Sequence, residues 1–173
     1  MVDICTPEEM IHRLKGLSTE MKDPLRQTME QAAARVHTTA MKNVTPGSSP
    51  YKFAPFDTGI LRAHLSYEVA DQGSMYMGRV GVQKDSEADN YALWVHDGTR
   101  PHFAPPAAIQ AWAERKSRGG TEIPWYPIWL KIAQEGTEAK PFLTDAVSSE
   151  QDNVFRILTD GIEKYLRDYC GRL

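Results

Sequence analysis

Cysteine is almost missing from this chain: only Cys5 and Cys170 occur, far apart and without metal-ligand spacing. Two such thiols exclude a disulfide scaffold and suit a reducing compartment. Long apolar runs are missing too, since none approaches the roughly 20 residues of a membrane span, so no membrane partner is expected. The opening residues Met1-Val2-Asp3-Ile4-Cys5-Thr6 lack the basic-then-apolar plan of a secretory leader. The expectation is a soluble chain that acts where it is made, or in an assembly built there. Neither sign of charge dominates: 20 Lys and Arg against 23 Asp and Glu leave a formal net charge of −3, which argues against a dedicated nucleic-acid-binding surface. Gly119-Gly120 is not followed by the Lys-Ser/Thr of a phosphate loop, and no dinucleotide fingerprint occurs. Ser48 and Ser49 sit in a proline loop without an elbow motif, and neither cysteine has a histidine beside it in sequence. No enzyme activity and no cofactor are expected on these grounds.

What is present supports an α+β fold. A chain of 173 residues, 41% of them hydrophobic, is long enough for a single domain over residues 1–173 with its own core. Thr6-Pro7-Glu8-Glu9 reads as a helix start leading to about Leu14, and Asp23-Pro24 repeats the signal. From there Leu25, Met29, Ala32, Ala33, Val36 and Ala40 keep helical spacing to about Lys42, with a small-residue face suited to close packing. Residues 44–56 are rich in proline and glycine and predict a loop, whose Tyr51, Phe53 and Phe56 set it apart from a plain linker. Two readings stand for it: packing on its own domain, or docking on a partner. Asp57 is placed to cap a short helix over Ile60–Ala63. Leu65, Tyr67 and Val69 alternate with polar residues, and Tyr76, Val80 and Val82 follow a turn, so an antiparallel hairpin is predicted. Lys84 to Asn90 reads as a polar loop. Helices are predicted over Ala107–Ser117 and Pro124–Ala133, the second packed hard on the core. A long amphipathic helix runs from about Thr144 to Tyr169, and Gly161 inside it suggests a close approach by another backbone.

The stretch from Asn90 to Phe103 stands at the centre of this plan. Tyr91, Ala92, Leu93, Trp94 and Val95 read as a buried run that ends in the turn chemistry of Asp97-Gly98. Arg100, Pro101, His102 and Phe103 follow, so a rigid loop carries charge and rings together. His96, Asp97 and His102 are the candidate metal ligands, and a metal-dependent enzyme is the competing reading from another class. A zinc site needs a third or fourth ligand at tight spacing, and His12, His37 and His64 belong to other elements. A fixed turn is the simpler account, and no metal is expected. Arg100 and His102 with Arg115, Lys116 and Arg118 define either a local basic surface or a solvated helix face. Trp94, Trp112, Trp125 and Trp129 are expected to form one aromatic cluster with Tyr126 under this loop.

Three short segments then fall into one order. They are Pro55-Phe56-Asp57-Thr58-Gly59-Ile60-Leu61-Arg62, then Tyr91-Ala92 with Val95-His96-Asp97-Gly98-Thr99-Arg100-Pro101-His102, then Gly136-Thr137 with Ala139-Lys140-Pro141-Phe142-Leu143. With a helix before them, a hairpin between the first two and a helix after, the chain from Leu25 to Ile162 resembles the HK97 gp10-like, minor-tail-protein-Z-like family of tailed bacteriophages and prophages. Shorter members pass more directly from the Gly-Thr turn to Pro-Phe, so residues 103–136 read as a helical, Trp-rich insertion. The resemblance implies a small antiparallel sheet packed against an N-terminal and a long C-terminal helix. It also implies a structural virion protein that completes the tail and permits head joining, with a tail terminator as the near alternative. The implied partners are other copies in a ring, hexameric to match a six-fold tail, a tail tube or terminator protein, head connector or stopper proteins, and DNA passing non-specifically through the channel. The implied location is the virion neck, assembled in the host cytoplasm. Asp57, Thr58, Gly59, Arg62, His96, Gly98, Thr99, Arg100, His102, Pro141 and Phe142 are then the candidate interface or motif residues.

Overall fold

The computed structural model describes residues 21–73, 75–118, 120 and 122–170. The helix expected over Thr6–Leu14, with Cys5 and His12, lies outside the described residues. The described elements are α1 (Lys22–Asn43), α2 (Ile60–Ala63), β1 (Leu65–Asp71), β2 (Tyr76–Val82), α3 (Asp89–Asp97), α4 (Pro106–Ser117), α5 (Trp125–Glu135) and α6 (Phe142–Cys170). The two strands form one antiparallel sheet, so the fold class is α+β with an N-terminal helix, a hairpin and a long C-terminal helix. No helix among the described residues is long and apolar enough to cross a membrane.

The chain divides into two compact units. Among the described residues, the first comprises 21–37, 67–80 and 149–170. Here the small-residue face of α1 does what its spacing predicts: Ala32, Ala33 and Val36 are buried. Gly78 on β2 faces that stripe, and a β-carbon there would lie 3.1 Å from the Met29 sulfur, so strand and helix approach closely because the strand is bare at that point. Gly161 on α6 faces Thr28 of α1. A close approach is found there as expected, with the Thr28 side chain supplying the nearest atoms. Arg35 Nε donates to Glu150 Oε2 at 2.7 Å, and Asn153 donates to the same oxygen at 2.7 Å. Tyr67, on the apolar side of the β1 alternation, is 44% exposed, because a two-stranded sheet has little to cover it. The ring of His37 at 5.4 Å supplies part of its cover.

The second unit holds Thr38–Ser66 and Gly81–Ser148. Its core is Val44, Leu61, Leu65, Ala88, Ala92 and Phe142, with Tyr51, Tyr91, Val95 and Leu143 packed around them. Two expectations are corrected here. Residues 91–95 are not a continuous buried run but part of α3, so a period of 3.6 turns successive side chains in different directions. Ala92 faces the core, while Leu93 and Trp94 are 64% and 62% exposed. Helix α5 packs on α4, yet none of its residues is buried and Tyr126 is 55% exposed, so it is not driven into the core. Its inner stripe is held instead by Trp129, whose Nε1 donates to the carbonyl of Ala104 at 2.7 Å. Ring contacts join Phe103, Trp129, Tyr126 and Trp125 in sequence. Trp94 and Trp112 stand apart from this row and border a hollow, so the single aromatic cluster expected from sequence does not include them.

Candidate functional site

The three motif segments meet in the second unit. Leu61 from the first, Ala92 from the second and Phe142 from the third pack into one core, and Phe142 is fully buried.

In the first segment, Gly59 adopts φ 86° ahead of α2, the left-handed conformation that glycine takes without penalty. The ring of Phe56 lies 3.4 Å from where a β-carbon would stand on that glycine. Asp57, expected to cap α2, does not: α2 has no side-chain cap. Its carboxylate instead receives Arg115 Nη2 at 2.6 Å, and Lys116 Nζ lies 3.9 Å away. A guanidinium fixed on a helix competes better for a carboxylate than one solvated amide does. The bond to Asp57 raises the pKa of Arg115. Lys116 also donates to the carbonyl of Phe56 at 2.6 Å. Two cations of the basic surface considered from sequence are thus committed to the loop beside them. Leu61 points inward, whereas Thr58 and Arg62 are exposed.

The second and third segments form one clamp. Thr99 and Thr137 exchange backbone hydrogen bonds of 3.1 and 3.2 Å in an isolated antiparallel bridge, and their hydroxyls lie 3.0 Å apart. Gly98 and Gly136 precede them with φ of 72° and 79°, and a β-carbon on either would run into the opposite backbone. A further bond, from Lys140 N to the carbonyl of Val95 at 3.1 Å, leads through half-buried Pro141 to Phe142. The carbonyl of Phe142 accepts Asn43 Nδ2 at 3.0 Å, tying α1 to α6 within this unit.

The two histidines among the three candidate metal ligands face different partners. His96 Nδ1 pairs with Asp97 Oδ1 at 2.6 Å, its Nε2 meets Thr144 Oγ1 at 3.1 Å, and its ring stands edge-on to Phe142 at 5.4 Å. His102 Nδ1 turns back on its own loop, 2.9 Å from the carbonyl of Arg100 and 3.4 Å from Thr99 Oγ1. Among the described residues no three His, Cys, Asp or Glu side chains are grouped to hold a metal ion. Arg100 and Arg62 are exposed and form no ion pair with any described residue.

Sequence reasoning missed how the 44–56 loop is anchored. Tyr51 Oη donates to Asp145 Oδ2 at 2.6 Å across 94 residues. Burial first, then that hydrogen bond, push the phenol well above its ordinary pKa. Ser49 Oγ donates to the carbonyl of Asn43 at 2.6 Å. Helix-end chemistry near Asn43 is a local signal for the second bond, whereas nothing local announces the first. Phe53, Leu93, Trp94 and Phe103 remain more than 60% exposed on this unit. No protein-family model, curated protein or solved structure matches this chain.

Proposed function

We propose that this protein is a structural subunit of a tailed bacteriophage or prophage, a tail-completion protein that forms a ring at the head–tail joint. The observation that supports this reading most is the convergence of the three motif segments on one core, with Leu61, Ala92 and Phe142 in contact within a single cluster. Residues that resemble a family signature are here fasteners of the subunit, which supports the reading.

A ring uses two different faces of each copy, so rigid turns must display side chains in a fixed direction. The Thr99–Thr137 clamp holds Arg100 outward beside Phe103, and α2 holds Arg62 outward beside buried Leu61. Exposed Leu93, Trp94 and Phe103 supply apolar surface of the kind a subunit interface covers, with arginine and aromatic anchors typical of tight contacts. In this reading copies of the chain meet through these groups in a hexameric ring, and the ring joins a tail tube or terminator protein to head connector or stopper proteins. DNA passes through its channel without sequence-specific contact. Assembly takes place in the host cytoplasm, and the protein ends in the virion neck.

Deletion of the gene, followed by electron microscopy of lysates, tests the reading. Filled heads beside unjoined tails of normal length are the expected result. Abnormally long tails would transfer the role to tail termination, and normal infectious particles would remove both.

A further inference from the structure

Two hollows in the second unit border the same three residues. One, of about 410 Å³, is lined by Tyr91, Trp94, Ile109 and Ile132. The other, of about 790 Å³, is lined by Phe53, Phe56, Ile123 and Ile128. Pro55, Trp112 and Lys140 border both. The larger hollow has three lysines on its border, Lys52, Lys116 and Lys140, and no acid, whereas Glu138 borders only the smaller. Two of these cations are already engaged: Lys116 on the Phe56 carbonyl at 2.6 Å, and Lys52 over the Phe53 ring at 5.5 Å. Lys140 is half-buried, and its ammonium makes no hydrogen bond or ion pair with any described residue. Burial lowers its pKa, and Glu138 offsets this only in part. The larger hollow, apolar and bordered by this partly desolvated cation, is short of an anion.

We propose that the larger hollow docks an extended acidic segment of a partner protein, seating an aromatic or branched apolar side chain against Trp112 and a carboxylate on Lys140. The proposal rests on the assembly reading, for which it supplies the chemistry of one partner. Single-stranded nucleic acid is the weaker fit. It needs a track of cations along a backbone, and here one free ammonium sits among apolar walls. A carboxylate beside an apolar anchor matches that spacing of functions, and a charged hydrogen bond in a partly dry site is among the stronger polar contacts.

The test uses the full chain and an acetylated, amidated peptide of alternating aspartate and phenylalanine, with an asparagine version as control. Binding is followed by calorimetry and by the fluorescence of the tryptophans. The aspartate peptide is expected to bind about tenfold more tightly than the asparagine peptide. Lys140→Met is expected to erase that preference and Lys140→Arg to keep most of it, with circular dichroism checking the fold of each. Equal binding of the two peptides, or an undiminished preference in Lys140→Met, overturns the proposal. So does tighter binding of a thymidine oligonucleotide than of the aspartate peptide. If Lys140→Met fails to fold, the wild-type comparison of the two peptides decides. Head–tail joining is scored separately by microscopy. A wild type that prefers the aspartate peptide while its deletion leaves particles normal keeps the cleft and removes the assembly reading. Failed joining on deletion without any peptide preference does the reverse.

Discussion

Thr99 and Thr137 bridge two segments 38 residues apart through paired backbone bonds of 3.1 and 3.2 Å and a hydroxyl contact of 3.0 Å. Each follows a glycine of positive φ whose missing side chain leaves the space that the other strand fills. Two Gly-Thr pairs that look independent in sequence are therefore one object. It sets the direction of Arg100 on one side and the entry to Phe142 on the other.

Gly136→Ala is expected to destabilise the protein by at least about 3 kcal/mol, since positive-φ strain adds to a collision with the Thr99 backbone. Gly47 also has positive φ, at 83°, but nothing lies within 4 Å of where its β-carbon would stand. Gly47→Ala should therefore cost only about 1 kcal/mol. Urea denaturation of the two variants checks this, and equal losses would mean that the clamp is not tight.

Phe142 has no exposed surface, so Phe142→Ala leaves a cavity where the three segments meet and should cost about 3–5 kcal/mol. Phe155, on the same helix, is 72% exposed, and Phe155→Ala should stay within about 0.5 kcal/mol of wild type. Thermal unfolding followed by circular dichroism measures both.

Arg100→Glu is expected to fold normally, within about 0.5 kcal/mol of wild type, because no described residue pairs with the guanidinium. In the proposed assembly, the same charge reversal is expected to abolish ring formation and incorporation into tails. Size-exclusion chromatography and negative-stain microscopy read this out. A variant that unfolds would assign Arg100 to the fold, and one that still assembles would take it out of the interface.

The Tyr51–Asp145 bond predicts a particular response to alkali. The folded-state pKa of Tyr51 is raised, by burial first and then by the hydrogen bond to Asp145. Below the ordinary phenol value of about 10, folded and unfolded chains both hold the proton and the bond contributes fully. Above it the unfolded chain releases its proton first, so stability falls as pH rises towards the raised folded value. Tyr51→Phe should lose about 1–2 kcal/mol near neutrality, and its gap to wild type should narrow as pH rises past about 10. Urea titrations across that range test the sign. A gap that widens with pH would contradict it.

Much of the local structure was legible because its causes are local. Asp23-Pro24 starts α1, alternating residues mark β1, and the spacing from Phe142 onward marks α6. The run at residues 91–95 was harder, since five apolar residues in a row suit a strand or a helix equally, and length alone does not arbitrate. Asp57 was misread for a related reason. Its position fits a helix cap, but Arg115, 58 residues away, offers a charged partner at 2.6 Å.

By itself, the sequence determined the order of the elements other than α3, the α+β class and the two glycine turns, because helix starts, strand alternation and positive φ depend on neighbours within a few residues. Only the tertiary structure decided that Thr99 meets Thr137, that Tyr51 meets Asp145, that Leu93 and Trp94 face outward, and that Lys140 borders two hollows. Those pairings close long loops, and the choice among them is made by packing and by which polar groups find a partner when water is removed.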